Sequence, residues 1–469
     1  MSPNLTYRTE TDTMGAIQVP AEKLWGANTE RARRNLPVSR SSMPLSMIYA
    51  MARIKAAVMQ AASEQGYIKD NVAKAISDAA SSVAAGNYDE HFPLDVFQTG
   101  SGTSTNMNVN EVVANIANQT LFGKVGEYDK VHPNDHVNFG QSSNDTVPSA
   151  LHLAALQQLQ DRMLPTLTAL IESWQKQIEQ YGDVVKTGRT HLQDALPTTF
   201  GHVFGGYVSV LQHMHDRLEE MVKHLAVIPL GGTAVGTGFL APEKLPQRAA
   251  EYLTYMYGVE VRVADSPAAY MAGRPVVTDF MGRIASLAME LQRIANDVRV
   301  MASGPRLGYS EIRIPALQPG SSIMPGKVNP VACESVIQVG MAVAGHNATV
   351  LAAAASGQFE LNVTFPVTTW ALLDSMDIVT NVMEAFRTEV VEGLEVQVEH
   401  VAADLDQSLA IATALISKIG YTEATKVAYH AHKNNVTVAQ AAVTMGILDE
   451  DEVQTWLDPA RLVRRGRLE

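Results

Sequence analysis

The sequence predicts a mainly α-helical protein built around long helices packed nearly parallel. Three observations carry that reading. Apolar residues recur over long stretches at alternating intervals of three and four, strand-like runs are few and short, and the chain shows no strand-helix-strand alternation, internal repeat or low-complexity tract. Tyr207, Leu211, Met214, Leu218, Met221 and Leu225 form one apolar seam, and Val277, Phe280, Ile284, Leu287, Leu291, Ile294, Val298 and Met301 form another. Such spacing lays a stripe along one side of a helix, as side-by-side packing requires. The second seam covers about 25 residues, so about 37 Å of helix, which is long for a compact monomer and favours a bundle that continues between subunits.

Taken in chain order, residues 1–139 mix loops with shorter helices and are expected as an N-terminal domain. Residues 140–398 are expected as the central long-helix bundle. Its first seam is Leu156, Leu159, Met163, Leu167, Leu170, Trp174 and Ile178, with Pro165 expected to kink or break it because proline lacks an N–H and crowds the preceding turn. The two seams named above follow, then helices over about 330–356 and 369–390. Val259 to Val263 is one of the few strand-like runs. Residues 399–469 are expected as a small C-terminal helical domain in which Gly420 and Gly446 stop helices. Methionines and aromatics on these stripes read as core filler.

With 469 residues, 46% of them hydrophobic and 18% charged, the chain is long enough for a large core and more than one domain. A formal net charge of -13 opposes non-specific attraction to nucleic acid or an anionic membrane, so neither is an expected partner. An anionic ligand would then need a locally positive site. The single cysteine, Cys333, excludes an internal disulfide and a multi-cysteine metal site, and fits a reducing compartment. No signal-like apolar core follows Met1, and no uninterrupted apolar run has membrane length, so the expected location is cytoplasmic.

The most informative segment is Gly320-Ser321-Ser322-Ile323-Met324-Pro325-Gly326-Lys327-Val328-Asn329-Pro330, followed by Glu334. Glycine and proline allow the tight turns that gather hydroxyl, ammonium and amide groups at one point. Lys327 and Asn329 stand just before a long apolar helix whose N-terminus attracts anions, so the run reads as an anion-binding loop. Three further clusters of small polar residues interrupt the apolar periodicity: Thr99 to Asn108, Gly140 to Thr146 and Lys186 to Asp194. Each alone reads as a helix cap with a turn. Together they hold the donors needed to grip a small carboxylate, and His191 is the one imidazole among them, a candidate for general acid-base work.

Other patterns carry less. Gly236-Thr237-Gly238-Phe239-Leu240-Ala241 has the outline of a dinucleotide fingerprint, but Pro242 and Pro246 follow where a helix should open. His132 and His136 are separated by Pro133-Asn134-Asp135, a turn rather than a chelating helix face, so no metal site is expected.

Four segments, read in order, resemble one family. Gly320 to Pro330 is similar to the signature loop of the fumarase/aspartase superfamily. His132-Pro133-Asn134-Asp135, Ser142-Ser143-Asn144-Asp145 and Arg189-Thr190-His191-Leu192-Gln193-Asp194 are similar to the companion motifs of its class II fumarases. The likeness runs from Leu24-Trp25-Gly26-Ala27-Asn28-Thr29 to the C-terminal domain. An aspartase would more usually carry Gln at position 191, Thr at 143 and Ala at 326, whereas Thr103-Ser104-Thr105-Asn106 looks as much like aspartase as fumarase.

The resemblance implies a three-domain fold and a homotetramer whose central helices merge into one bundle, with each active site shared by three chains. It implies reversible hydration of fumarate to L-malate without a cofactor. Ser321 would be the base that takes the C3 proton, and His191, paired with Glu334 across subunits, would handle the proton of water. Ser101, Thr103, Ser143, Asn144, Thr190, Lys327 and Asn329 would hold the carboxylates, with Gly102, Ser142, Ser322 and Val328 beside them. The family's second dicarboxylate site would fall at His132, Pro133, Asn134 and Asp135, where Asp129, in a place usually held by Arg, would repel an anion. The alternatives are an aspartate ammonia-lyase and a non-catalytic structural relative of the lens-crystallin kind.

Overall fold

A computed structural model describes residues 6–464, and helices dominate it. It divides into two compact units. One consists of the chain up to Pro165 with Asp216–Leu287 and Gly340–Thr380; the other consists of Thr166–His215, Ala288–Val339 and the chain from Asn381 onward.

The chain opens with an antiparallel hairpin of β1 (Tyr7–Asp12) and β2 (Gly15–Pro20), then α1 (Ala27–Asn35), α2 (Leu45–Glu64), α3 (Asp70–Ala84), α4 (Thr103–Phe122) and α5 (Ser143–Gln158). Next come α6 (Leu164–Tyr181), the antiparallel pair β3 (Val185–Thr190) and β4 (Gln193–Thr199), α7 (Phe200–Glu219) and α8 (Met221–Leu225). Two-residue strands β5 (Val227–Ile228) and β6 (Arg262–Val263) pair in parallel around α9 (Leu245–Tyr257). After α10 (Pro267–Ala272) and α11 (Pro275–Met301), β7 (Ile312–Arg313) precedes α12 (Val331–Ala355) and α13 (Phe365–Phe386). The chain continues with β8 (Glu395–Val396), which pairs with β7, and then α14 (Val398–Gln407), α15 (Ile416–Asn434), α16 (Val438–Thr444), α17 (Glu450–Trp456) and α18 (Pro459–Leu462). Helices α7, α11, α12 and α13 each contribute a stretch to both units.

In the first unit, α2 packs on α3, α5 and α9, so it is buried on nearly every side. Its alanines let neighbouring helices approach closely, while Met47, Ile48, Met51, Ile54 and Met59 fill the gaps. In the second unit, Trp174 on α6 is fully buried against Phe204 and Tyr207 of α7 and Phe386 of α13, with ring centroids 5.0, 5.2 and 6.4 Å away. The Tyr207 ring packs edge-on and the other two tilted against Trp174, and these contacts hold the three helices in register.

The long seam of α11 is as the periodicity predicts: all eight of its stripe residues, Val277 to Met301, are buried on one helix. Elsewhere the details differ. The seam from Tyr207 to Leu225 is divided, because α7 ends at Glu219 and the stripe continues in the short α8. The break expected at Pro165 begins earlier, as a π-helical turn over Leu159–Met163. Proline at 165 cannot donate to the carbonyl four residues back, and the wider turn absorbs the mismatch. Gly420 interrupts α15 with φ 77, and Gly446, φ 69, follows the end of α16, as expected of both. The two longer hairpins, β1–β2 and β3–β4, are not foreshadowed by strand-like runs.

His152 on α5 is buried, with Nδ1 donating to the Val227 carbonyl at 2.8 Å and the ring edge-on to Tyr270. Burial pushes its pKa down to about 4, so the folded state holds it neutral while the unfolded chain protonates it near 6.5. The unfolded state therefore binds more protons between these values, and the contribution to stability is complete above about pH 6.5 and lost as pH falls toward 4, by up to ~1.4 kcal/mol per unit. Burial raises Glu111 to about 7 and Asp145 to about 6, which acts in the opposite sense, so the test is a difference. In urea unfolding, His152→Gln is expected to lose less stability than the parent between pH 6.5 and 4.5; parallel pH curves would refute this.

Candidate functional site

In the first unit two helix N-termini meet. Gly102, at φ 75, turns the chain into α4 in a left-handed conformation that glycine adopts without strain. Ser101 Oγ lies 2.8 Å from Thr103 Oγ1, and Thr103 Oγ1 lies 2.6 Å from Ser143 Oγ at the start of α5. A continuous chain of three hydroxyls thus joins residues 40 positions apart. Free N–H groups in the first turn of each helix add partial positive charge, so the junction suits a carboxylate without a full cation.

Ser142 caps α5 by accepting the Asn144 N–H, and Asp145 accepts the Ser142 N–H in return. The fully buried Asp145 carboxylate also accepts the N–H groups of Gly231 and Thr233, each at 2.9 Å, and the Asn144 amide donates to the Ala234 carbonyl at 2.8 Å. The loop from Gly231 to Ala234 is therefore tied to the same helix start that presents Ser143.

One residue here escapes the motif reading. Lys55, fully buried on α2, donates from Nζ to Asn106 Oδ1 at 2.7 Å and to Asn138 Oδ1 at 2.9 Å. Asn138 in turn donates to the Gln141 carbonyl. The ammonium therefore braces α4 just beyond Thr103 and the segment leading to Ser142. Burial pushes the Lys55 pKa down to about 7, against the attraction of Asp145. A lone lysine between Ile54 and Ala56 on an otherwise apolar helix face was the available signal. Lys55→Met keeps the volume but strands the buried Asn106 Oδ1, while Asn138 Oδ1 keeps the amide donors of Asn106 and Asn110, so it is expected to destabilise the protein by about 1–3 kcal/mol and raise KM for substrate. Urea unfolding and steady-state kinetics check both, and unchanged values would discount the brace.

His132 to Asp135 lie at a π-helical turn over Pro133–Val137. His132 Nδ1 accepts the N–H groups of Asn134 and Asp135, each at 3.2 Å, and His136 Nδ1 accepts the His132 N–H at 2.9 Å. Both Nδ1 atoms thus serve the backbone. Asn134, Asp135, Ser142 and Thr233 line a cavity of about 650 Å³ in this unit. Among the described residues, no group of three or more His, Cys, Asp or Glu is placed to hold a metal ion.

In the second unit, the run Lys186 to Asp194 forms most of the β3–β4 hairpin rather than a cap and turn. Thr190 pairs with Gln193, leaving His191 and Leu192 as a two-residue turn with φ of 56 and 60. Positive φ at both positions is what a type I′ turn requires, and at residues other than glycine each costs of order 1–3 kcal/mol. The surrounding contacts offset that strain. Arg189 donates to Asp194 at 2.6 Å across the hairpin and to the buried Glu311 at 3.1 Å, and Lys186 Nζ pairs with Glu311 at 2.9 Å. The turn holds His191 out as an exposed imidazole, and among the described residues its ring makes no hydrogen bond or ion pair.

The loop from Gly320 to Asn329 is closed at its neck. The Gly320 N–H donates to the Lys327 carbonyl at 2.7 Å, and Asn329 Nδ2 donates to the Gly320 carbonyl at 2.8 Å. A Cβ at Gly320 would lie 2.8 Å from that Lys327 oxygen, so any larger residue opens the neck. Inside the loop, Ser321 Oγ accepts the N–H groups of Ile323 at 3.2 Å and Met324 at 3.0 Å. Two donors aimed at a hydroxyl oxygen stabilise its deprotonated form more than its neutral form. Ser322, Lys327 and Val328 are exposed, and Glu334 is half-buried in the first turn of α12.

The expected site residues thus fall into local groups. Ser101, Gly102, Thr103, Ser142, Ser143 and Asn144 form one; Thr190 and His191 sit at a hairpin tip; Ser321, Ser322, Lys327, Val328 and Asn329 share one loop. Within the chain, no hydrogen bond or ion pair joins His191 to Glu334 among the described residues.

Two family models match, one described as Lyase over residues 15–345 and one described as Fumarase C C-terminus over residues 411–464. The chain is 42% identical over 462 residues to the mitochondrial fumarate hydratase of Saccharomyces cerevisiae, a match covering 98% of this chain and 94% of that one. It is 43% identical over 466 residues to the class II fumarate hydratase of Xylella fastidiosa, covering 99% and 97%. Among solved structures, a recombinant class II fumarase from Schistosoma mansoni matches with a TM-score of 0.94 and 35% identity, covering 98% of this chain and 99% of that one.

Proposed function

Since the chain belongs to the class II fumarate hydratases of the lyase family, we propose that it hydrates fumarate reversibly to L-malate with Ser321 as the carbon-acid base. In the dehydration direction Ser321 Oγ takes the C3 proton of malate, and the electron pair left behind is delocalised into the adjacent carboxylate. That carboxylate then bears added negative charge, and the two carboxylates of the substrate are held by Lys327, Asn329, Thr190, Ser143, Asn144, Ser101 and Thr103, contributed by three chains. The C2–O bond breaks next, and His191 protonates the departing hydroxyl so that it leaves as water. Hydration is the reverse, with His191 taking a proton from the attacking water. Glu334 of a neighbouring subunit orients the imidazole. The observation that carries the reading is the pair of backbone N–H groups on Ser321 Oγ, because an ordinary serine hydroxyl is far too weak a base at neutral pH.

A homotetramer follows from the same reading. Helix α12 is, by length and composition, the one helix among the described residues long and apolar enough to cross a membrane, yet only 33% of its most apolar window is buried. Met341 and Leu351 are exposed on it, while Gln338, His346 and Asn347 interrupt its apolar run with polar side chains that a lipid-facing helix rarely carries. Contact with α12 of other copies covers the apolar surface. The turn at His132 to Asp135 is a second dicarboxylate site weakened by Asp129.

The test is to offer purified protein malate, aspartate and argininosuccinate separately and follow fumarate by its ultraviolet absorbance. Fumarate from malate alone is expected. Fumarate from aspartate and not malate would indicate an ammonia-lyase, and none from any substrate would indicate a structural protein.

A further inference from the structure

We propose that Tyr309 is a positioning residue for His191, clamping the strained turn that carries the imidazole. The inference rests on the reading of His191 as the group that moves the water proton. The Tyr309 hydroxyl donates to the Leu192 carbonyl at 3.0 Å, so it holds the second residue of the turn directly. Its ring lies under the Arg189 guanidinium, 4.2 Å from Cζ to centroid, and Arg189 is the residue that crosses the hairpin to Asp194. One aromatic side chain thereby touches the turn at its tip and the Arg189–Asp194 pair just behind it.

Tyr309 is itself a fixed post. Its N–H donates to Ser303 Oγ at 3.0 Å, its carbonyl accepts from His400 Nε2 at 2.9 Å, and Glu311, two residues on, receives both Arg189 and Lys186. The hairpin turn has no glycine or asparagine to make positive φ easy, since His191 and Leu192 occupy both positions. Left to local preference, Leu192 would relax out of the left-handed region, and His191 beside it would swing with the chain. The hydroxyl bond to the Leu192 carbonyl opposes that relaxation. An imidazole that must reach a water proton within hydrogen-bonding distance is sensitive to such a displacement.

The test compares Tyr309→Phe, which removes only the hydroxyl, with the double variant Tyr309→Phe/Leu192→Gly and with His191→Asn, all assayed on fumarate and malate. Tyr309→Phe is expected to lower kcat by about tenfold with KM within about twofold, because alignment rather than carboxylate binding is lost. Glycine at 192 takes positive φ without penalty, so the double variant is expected to recover kcat to within about threefold of the parent. A residue needed merely for folding would lower the urea unfolding midpoint and leave kcat per folded molecule unchanged, so both are measured on each variant. Full activity in Tyr309→Phe while His191→Asn is inactive would overturn the clamp alone, as would failure of the glycine rescue. Full activity in His191→Asn would remove the premise and the proposal with it.

Discussion

Replacing Ser321 by alanine is expected to lower kcat by about 10²- to 10⁴-fold, the range for removing a positioned general base, while KM for fumarate changes only a few-fold. The change deletes one oxygen and leaves the neck of its loop intact, because the Gly320–Lys327 and Asn329–Gly320 bonds involve no atom of that side chain. The two N–H groups now aimed at Ser321 Oγ turn to water in the exposed loop, so folding is little affected. A second measurement separates the base from a general contributor. In deuterated water the parent should exchange the C3 proton of malate, and Ser321→Ala should lose that exchange in step with dehydration. Retained exchange, or near-normal turnover, would take the role of base away from Ser321.

An effect of similar size is expected for His191→Asn. Asparagine tolerates the left-handed backbone better than most residues, so the turn at φ 56 persists and the loss reports on the imidazole rather than on the hairpin. An amide neither takes nor gives a proton near neutral pH, so the step that activates or expels water should slow by about 10²- to 10⁴-fold with the oligomer unchanged. Water requires such activation, whereas free ammonia is already nucleophilic, and this is why position 191 separates a hydratase from an ammonia-lyase. Malate turnover and light scattering on the same sample check both parts, and a variant as active as the parent would exclude His191 from the mechanism.

Particular residues show how much was legible beforehand. The α11 stripe from Val277 to Met301 was fully readable, because a helix writes its buried face into the sequence every three or four residues. The polar clusters stood out as breaks in that periodicity, yet each alone read as a helix cap with a turn, and no single run records which of the others it meets. The β3–β4 hairpin was not readable. Gly188 and Arg189 interrupt any alternation, a register shift falls between Thr187 and Arg189, and His191-Leu192 lacks the residues that normally mark a tight turn. Lys55 was passed over because a buried lysine is exceptional, and only its two asparagine partners, one on α4 and one beyond the turn at Pro133, make its burial tolerable.

The sequence by itself determined the helical class, the long apolar stripes and the chemical identity of each loop, since periodicity and composition are local properties. It also carried the family, because the signature from Gly320 to Pro330 and its companions are local strings. Only the tertiary structure decided that Thr103 meets Ser143, that Asp145 holds the loop at Gly231, and that Tyr309 holds Leu192. These contacts join residues 40, 86 and 117 positions apart. Their formation depends on how whole helices pack, and no short window of sequence records where a packed neighbour will bring its side chains.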